Sequence, residues 1–211
     1  MYYENEEEDI TRFMLREPAA TYGLRYYKET EYLEMEWSAD VKHEFYKGEI
    51  FAMAGAGESH NFIFSNVFSI LGPHLRKSRC RPFGSDMRVH IPENSLFTYP
   101  DISVFCGDIK RSAFDNDTAV GPSVLIEILS PSTRNYDKGP KRRLYQAIPD
   151  LNEYILIDTE CVSVEVYRRT ENGIWHREAH SQLSQSLFIS TVQLSLPLEE
   201  IYEGTLLHEQ V

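Results

Sequence analysis

The chain has 211 residues, 42% of them hydrophobic, with 13 Tyr and 11 Phe, which supplies a core for one domain and excludes a disordered chain. Its formal net charge of -12 argues against a protein that holds nucleic acid through bulk positive charge. No apolar run reaches membrane-spanning length and the start, Met1-Tyr2-Tyr3-Glu4, lacks the basic-then-apolar pattern of a signal peptide, so a cytoplasmic protein with no membrane partner is expected.

Charge is unevenly spread. Residues 1–60 hold 6 basic and 14 acidic residues, residues 61–143 hold 12 basic and 8 acidic, and the remainder 3 basic and 11 acidic. A locally basic middle third inside an acidic protein is compatible with a polyanionic substrate. The cysteines, Cys80, Cys106 and Cys161, are odd in number and far apart, and suggest neither a disulfide framework nor a zinc site.

Residues 1–24, with the run Glu6-Glu7-Glu8-Asp9, read as a solvated N-terminal arm, and 25–211 as a single domain. Lys28 to Met35 reads as a short helix capped near Thr30. Val41 to Met53 reads as a hairpin turning at Lys47-Gly48. On it Glu44 alternates with Phe45, and by itself reads as a solvated strand residue. Ser59 is the expected N-cap of a long helix whose apolar face is Phe62, Val67, Ile70 and Leu71, kinked or ended by Gly72-Pro73. His60 and Asn61 fall in its first turn, where free N–H groups favour anions.

A basic cluster follows (Arg76, Lys77, Arg79, Arg81), then one strand over residues 83–91, a turn over 92–95, and an antiparallel return opened by Asp101. Residues 108–120 read as a polar loop. The stretch from Ser123 to Ser130 is the central strand: it is apolar on both alternating faces, so it is covered on both sides. Glu127 interrupts it. A buried carboxylate left unpaired is too costly to be a packing choice, and two carboxylates on neighbouring strands, Asp101 and Glu127, make a site for a hard, oxygen-seeking cation.

After a turn, residues 138–148 read as a helix. Lys141 shares its inward stripe with Leu144, Tyr145 and Ile148; it either snorkels or is aimed at Glu127. A hairpin over Tyr154 to Tyr167 and a short helix over 198–202 complete the reading. Two carboxylates and a lysine fit hydrolysis of a phosphoester, with a divalent ion activating water and the ammonium orienting or deprotonating it and stabilising developing charge. If Lys141 acts in the chemical step alone, its replacement by Met leaves stability unchanged.

In this order the residues resemble the PD-(D/E)xK nuclease superfamily, and more closely the Uma-two family of restriction endonucleases. The matching pieces are Tyr32-Leu33, the run from His43 to Ile50, Ser59-His60, Tyr99-Pro100-Asp101, the run from Glu127 to Ser132, and Asp137-Lys138-Gly139 with Lys141, Leu144 and Tyr145. The resemblance implies an α/β (α+β) restriction-endonuclease-like core, a mixed β-sheet flanked by helices. It implies Mg2+ or Mn2+ held by Asp101, Glu127 and the main-chain carbonyl of Ile128, with Glu44 assisting and Lys141 completing the catalytic set. The parent pattern has lysine two residues after the glutamate; here that place is Leu129, and the resemblance supplies Lys141 from the following helix. The implied partner is DNA, cut by a metal-dependent endonuclease. A catalytically inactive DNA-binding or assembly module on the same fold is the competing expectation, and hydrolysis of small phosphoesters a third. Cutting both strands of a duplex favours a symmetric homodimer.

Overall fold

The structure, a computed structural model, describes residues 25–208; the expected arm over 1–24 lies outside the described residues. In chain order come α1 (Glu29–Glu36), β1 (His43–Tyr46), β2 (Glu49–Ala52), α2 (Glu58–Leu75), β3 (Cys80–Gly84), β4 (Val89–Ile91), β5 (Leu96–Thr98) and β6 (Ile102–Cys106). Short strands β7 (Lys110–Arg111) and β8 (Ala119–Val120) precede β9 (Val124–Leu129). Then follow α3 (Arg134–Tyr136), a π-helical turn (Asp137–Lys141), α4 (Arg142–Gln146), β10 (Glu153–Asp158), β11 (Val164–Arg169) and β12 (Trp175–His180). The hairpin partners β13 (Ser186–Ile189) and β14 (Leu194–Pro197) precede α5 (Leu198–Ile201).

Every residue of β9 is buried, and its two faces enter two different cores. Val124, Ile126 and Ile128 pack with Ile63, Val67, Leu71 and Leu75 of α2. Leu125 and Leu129 pack with Leu144, Tyr145 and Ile148 from the helical segment that follows. Strand alternation therefore puts Glu127 on the second face, between Leu125 and Leu129. The sheet around β9 has the order β12-β11-β10-β9-β6-β3. It is mixed: β9 and β10 run parallel while β6 runs antiparallel to β9. A parallel pair needs a crossover, and α3, the π-turn and α4 provide it. A second sheet, β2-β1-β5-β4-β8-β7, adds Tyr46, Phe51, Ile91 and Leu96 to the core on the Glu127 side.

The expected hairpin is present. Lys47 and Gly48 both have positive φ, 47° and 94°, the two-residue turn whose twist suits antiparallel strands. Other expectations are corrected. The strand expected over 83–91 is two strands in different sheets: the chain turns after Gly84, with Met87 N–H donating to the Gly84 carbonyl at 3.0 Å, and β3 pairs with β6 while β4 pairs with β5. The long helix starts earlier than expected, with Gly57 as N-cap, and runs through Pro73 to Leu75. Its inward stripe begins at Ile63; Phe62 is exposed. Arg81, read as part of a basic cluster, donates to the carbonyls of Leu75, Ser78 and Cys80 at 2.8–3.2 Å, where a cation suits a helix C-terminus.

The cysteine reading is also corrected, since Cys80 and Cys106 form a disulfide. They face each other in the β3–β6 register, a proximity that spacing along the chain cannot show. Cys161 is free and exposed. No helix among the described residues is long and apolar enough to cross a membrane.

Candidate active site

Lys141 is the centre of the site. The crossover does not form one regular helix, because Pro140 lies within it; proline has no N–H and its ring crowds the carbonyl four residues back. The π-turn over Asp137–Lys141 widens the helix there, and π-turns of this kind concentrate at functional positions. Lys141 is buried, 5% exposed. Its Nζ lies 3.0 Å from Glu44 Oε1, 3.0 Å from Glu127 Oε1 and 3.7 Å from Asp137 Oδ1.

The second sheet brings Glu44 on β1 beside Thr98 on β5, whose hydroxyl donates to Glu44. Tyr136 OH donates to Glu44 Oε2 at 3.4 Å. Tyr145 OH donates to Glu127 Oε1 at 2.7 Å. Burial alone would lower the Lys141 ammonium, but Glu127 and Glu44 beside it hold it well above the ordinary lysine range. Burial, with Asp101 and Asp137 adding to it, raises the Glu127 carboxyl against the pull of Lys141. Burial likewise raises Asp137.

Asp101 stands just before β6, where the ladder with β9 has reached Ile102 opposite Ile126. Its main-chain N–H donates to Glu127 Oε2 at 3.2 Å. Its carboxylate accepts the Ile128 N–H on Oδ2 at 2.7 Å, and Oδ1 lies 3.1 Å from His60 Nε2. Ile128 thus meets Asp101 through its N–H. In an extended strand the N–H and C=O of one residue point to the same side, so the Ile128 carbonyl also faces the Asp101 side, beyond the end of the β6–β9 pairing. A cleft of about 260 Å³ adjoins this point, between the start of α2 (Gly57 to His60), Ser130 and Pro131 after β9, and Thr159 and Glu160 after β10.

The four residues singled out in the sequence, Glu44, Asp101, Glu127 and Lys141, come together here. Asp137 was read only as part of a motif; only the fold shows it on Lys141. The hydroxyls of Thr98 and Tyr136 gave no sequence signal, since each sits in an apolar or turn context, and Tyr145 was read only as part of the apolar stripe and of a motif. Leu129 is buried in the core beside Tyr145. Among the described residues no three His, Cys, Asp or Glu side chains are arranged to hold a metal. The donor set still suits a magnesium-like ion, which needs one or two carboxylates and keeps several waters. Glu44, Glu127 and Asp137 face a single lysine and Asp101 lies against Glu127, so the cluster holds more acids than one ammonium matches.

The Uma2 family, described as "Putative restriction endonuclease", matches residues 30–199. Among curated proteins the chain is similar to two from Synechocystis sp. With uncharacterized protein slr1290 it is 33% identical over 174 residues, 82% of this chain and 90% of that protein. With uncharacterized protein sll1609 it is 37% identical over 145 residues, 69% of this chain and 82% of that protein. In fold it is similar to a crystal structure described as "a putative nuclease belonging to DUF820" from Anabaena variabilis, with a TM-score of 0.65 and 21% identity, covering 82% of this chain and 95% of that one. With the family match spanning most of its length, the chain belongs to the Uma2 (Uma-two) family, the restriction-endonuclease-like group its motifs resemble.

Proposed function

We propose that the chain is a Mg2+- or Mn2+-dependent endonuclease that hydrolyses DNA phosphodiester bonds, acting as a symmetric homodimer. The observation that supports it best is the buried acid excess around one lysine at the ends of β6 and β9. Asp101, Glu127 and the Ile128 carbonyl are the groups that would hold the metal. A divalent ion there supplies charge neutralisation at a phosphate oxygen and a more acidic water. Lys141, held charged by its carboxylate neighbours, acts as a hydrogen-bond donor and not as a base. It orients the attacking water and stabilises the charge that develops on the phosphoryl oxygens. Glu44 and Asp137 fix the ammonium from the sides away from β9, and Tyr145 fixes the Glu127 carboxylate. Water attacks phosphorus as the bond to the leaving oxygen breaks; the proton that the water loses passes to solvent, and the leaving oxygen takes one from it.

The test is calorimetric titration with Mn2+ followed by single-turnover cleavage of duplex DNA at saturating Mg2+. Asp101→Asn is expected to lose metal binding. Lys141→Met, checked for folding by circular dichroism, is expected to cleave on the order of a hundredfold more slowly or worse. Cleavage by Lys141→Met at the wild-type rate would remove Lys141 from the mechanism. Metal binding without any cleavage by the wild type would leave an inactive DNA-binding module. Light scattering checks the homodimer.

A further inference from the structure

We propose that His60 is a positioning residue: from the first turn of α2 it fixes the Asp101 carboxylate in the orientation that receives the metal. The inference rests on reading Asp101 as a metal ligand.

Asp101 is the most loosely placed acid of the cluster. Its side chain is 18% exposed, against 8% for Glu44 and 5% for both Glu127 and Asp137. It stands outside the β6–β9 ladder, so no strand partner holds it. Two donors do. Ile128 N–H reaches Oδ2 from β9 at 2.7 Å, and His60 Nε2 lies 3.1 Å from Oδ1. A carboxylate oxygen accepts, so what His60 can offer it is an Nε2 N–H. Each carboxylate oxygen then has one neighbour, a hydrogen bond on Oδ2 and an ion-pair contact on Oδ1, and the two together set the plane of the group.

The rest of α2 holds His60 in place. Ile63, Val67, Leu71 and Leu75 seat the helix on the β9 face opposite the site, and Asn61 Nδ2 ties the first turn to the Gly57 carbonyl at 2.8 Å. Hydrogen-bonded partners of metal-ligating carboxylates have a known leverage: their loss weakens metal binding by roughly 10- to 100-fold. The imidazole Nδ1 is buried and has no hydrogen-bond partner.

The experiment is Mn2+ titration, by calorimetry and by the electron paramagnetic resonance of free Mn2+, on the wild type, His60→Ala, His60→Gln, Asp101→Asn and the double variant His60→Ala/Asp101→Asn. His60→Ala is expected to weaken Mn2+ binding roughly 10- to 100-fold with little change in metal-free melting temperature. His60→Gln, whose amide Nε2 stands where the imidazole Nε2–H stood, is expected to recover most of it. His60→Ala should add nothing in the Asp101→Asn background. Wild-type affinity in His60→Ala with loss in Asp101→Asn would overturn the role of His60 and leave the metal site standing. Equal loss in the Ala and Gln variants would overturn it too, by making the imidazole itself a requirement. Wild-type affinity in Asp101→Asn would remove the metal reading and this proposal together.

Discussion

Among the described residues, two buried charged clusters, around Arg88 and around Lys141, differ in one respect. Around Arg88, the guanidinium meets one carboxylate and its three nitrogens are matched: Nε donates to Thr118 Oγ1 at 2.7 Å, Nη1 to Tyr99 OH at 3.0 Å and Nη2 to Asp115 Oδ2 at 3.2 Å. Tyr99 OH passes on to Glu36 at 2.8 Å, and Glu36 pairs with His43. Around Lys141, three carboxylates crowd one ammonium. Burial is similar in the two clusters, so burial of charge alone does not separate a scaffold from a reactive centre. The unbalanced charge does, because a satisfied network gains nothing from a cation and an acid excess does.

Removing each cluster's cation tests the contrast most strongly. Lys141→Met is expected to lose cleavage and also about 3–5 kcal/mol of stability in chelator, because it strands buried carboxylates. This departs from the sequence expectation of a purely chemical role, since Lys141 clamps Glu44 and Glu127 together. Its Mn2+ affinity should equal or exceed that of the wild type, as the acids have lost their internal cation; calorimetry with denaturant melts checks both. Arg88→Met is expected to lose a similar 3–5 kcal/mol while its cleavage rate per folded molecule stays within about threefold of wild type. A specific loss of activity there would blur the distinction.

A smaller effect lies two residues along β4. His90 is buried, stacked on Phe97 at 4.0 Å with Nδ1 3.0 Å from Ser112 Oγ, and burial lowers it to about 4, with Glu29 and Asp115 pulling weakly upward. In the unfolded chain it protonates near pH 6.5. Between these values the unfolded state binds a proton that the native state refuses, so stability falls as pH falls from 6.5 towards 4. The loss is on the order of 2–3 kcal/mol. Urea melts at pH 7 and 4.5 should show it as the difference between the wild type and His90→Gln, since the raised Glu127 and Asp137 carboxyls shift both proteins alike in the opposite direction.

What the sequence made legible follows from local periodicity. β9 was readable because it is apolar on both faces, and Glu127 because it violates that pattern. Lys141 was readable because its helical stripe is otherwise apolar, even though a π-turn replaces the regular helix there. The misses share a cause, which is that they depend on neighbours distant in sequence. Residues 83–91 alternate like one strand, and only the two sheets reveal the break. Cys80 and Cys106 become partners through strand register. Asp137 and His60 gained their contacts from elements folded against them, and the edge strand β12, largely exposed and polar, has no apolar alternation to announce it.

The span of the Lys141 clamp also orders events during synthesis. Glu44 takes a hydrogen bond from Tyr136, 92 positions later, and its counter-ion Lys141 emerges later still. Chains are made from the N-terminus at about 5–20 residues per second, so β1, β6 and the β9 carboxylates leave the ribosome before the cation that balances them. Until the crossover follows, closing the two sheets over these acids would bury uncompensated charge. Assembly of the charged centre therefore waits on that crossover, and a chain ending before it has strands but no completed donor set.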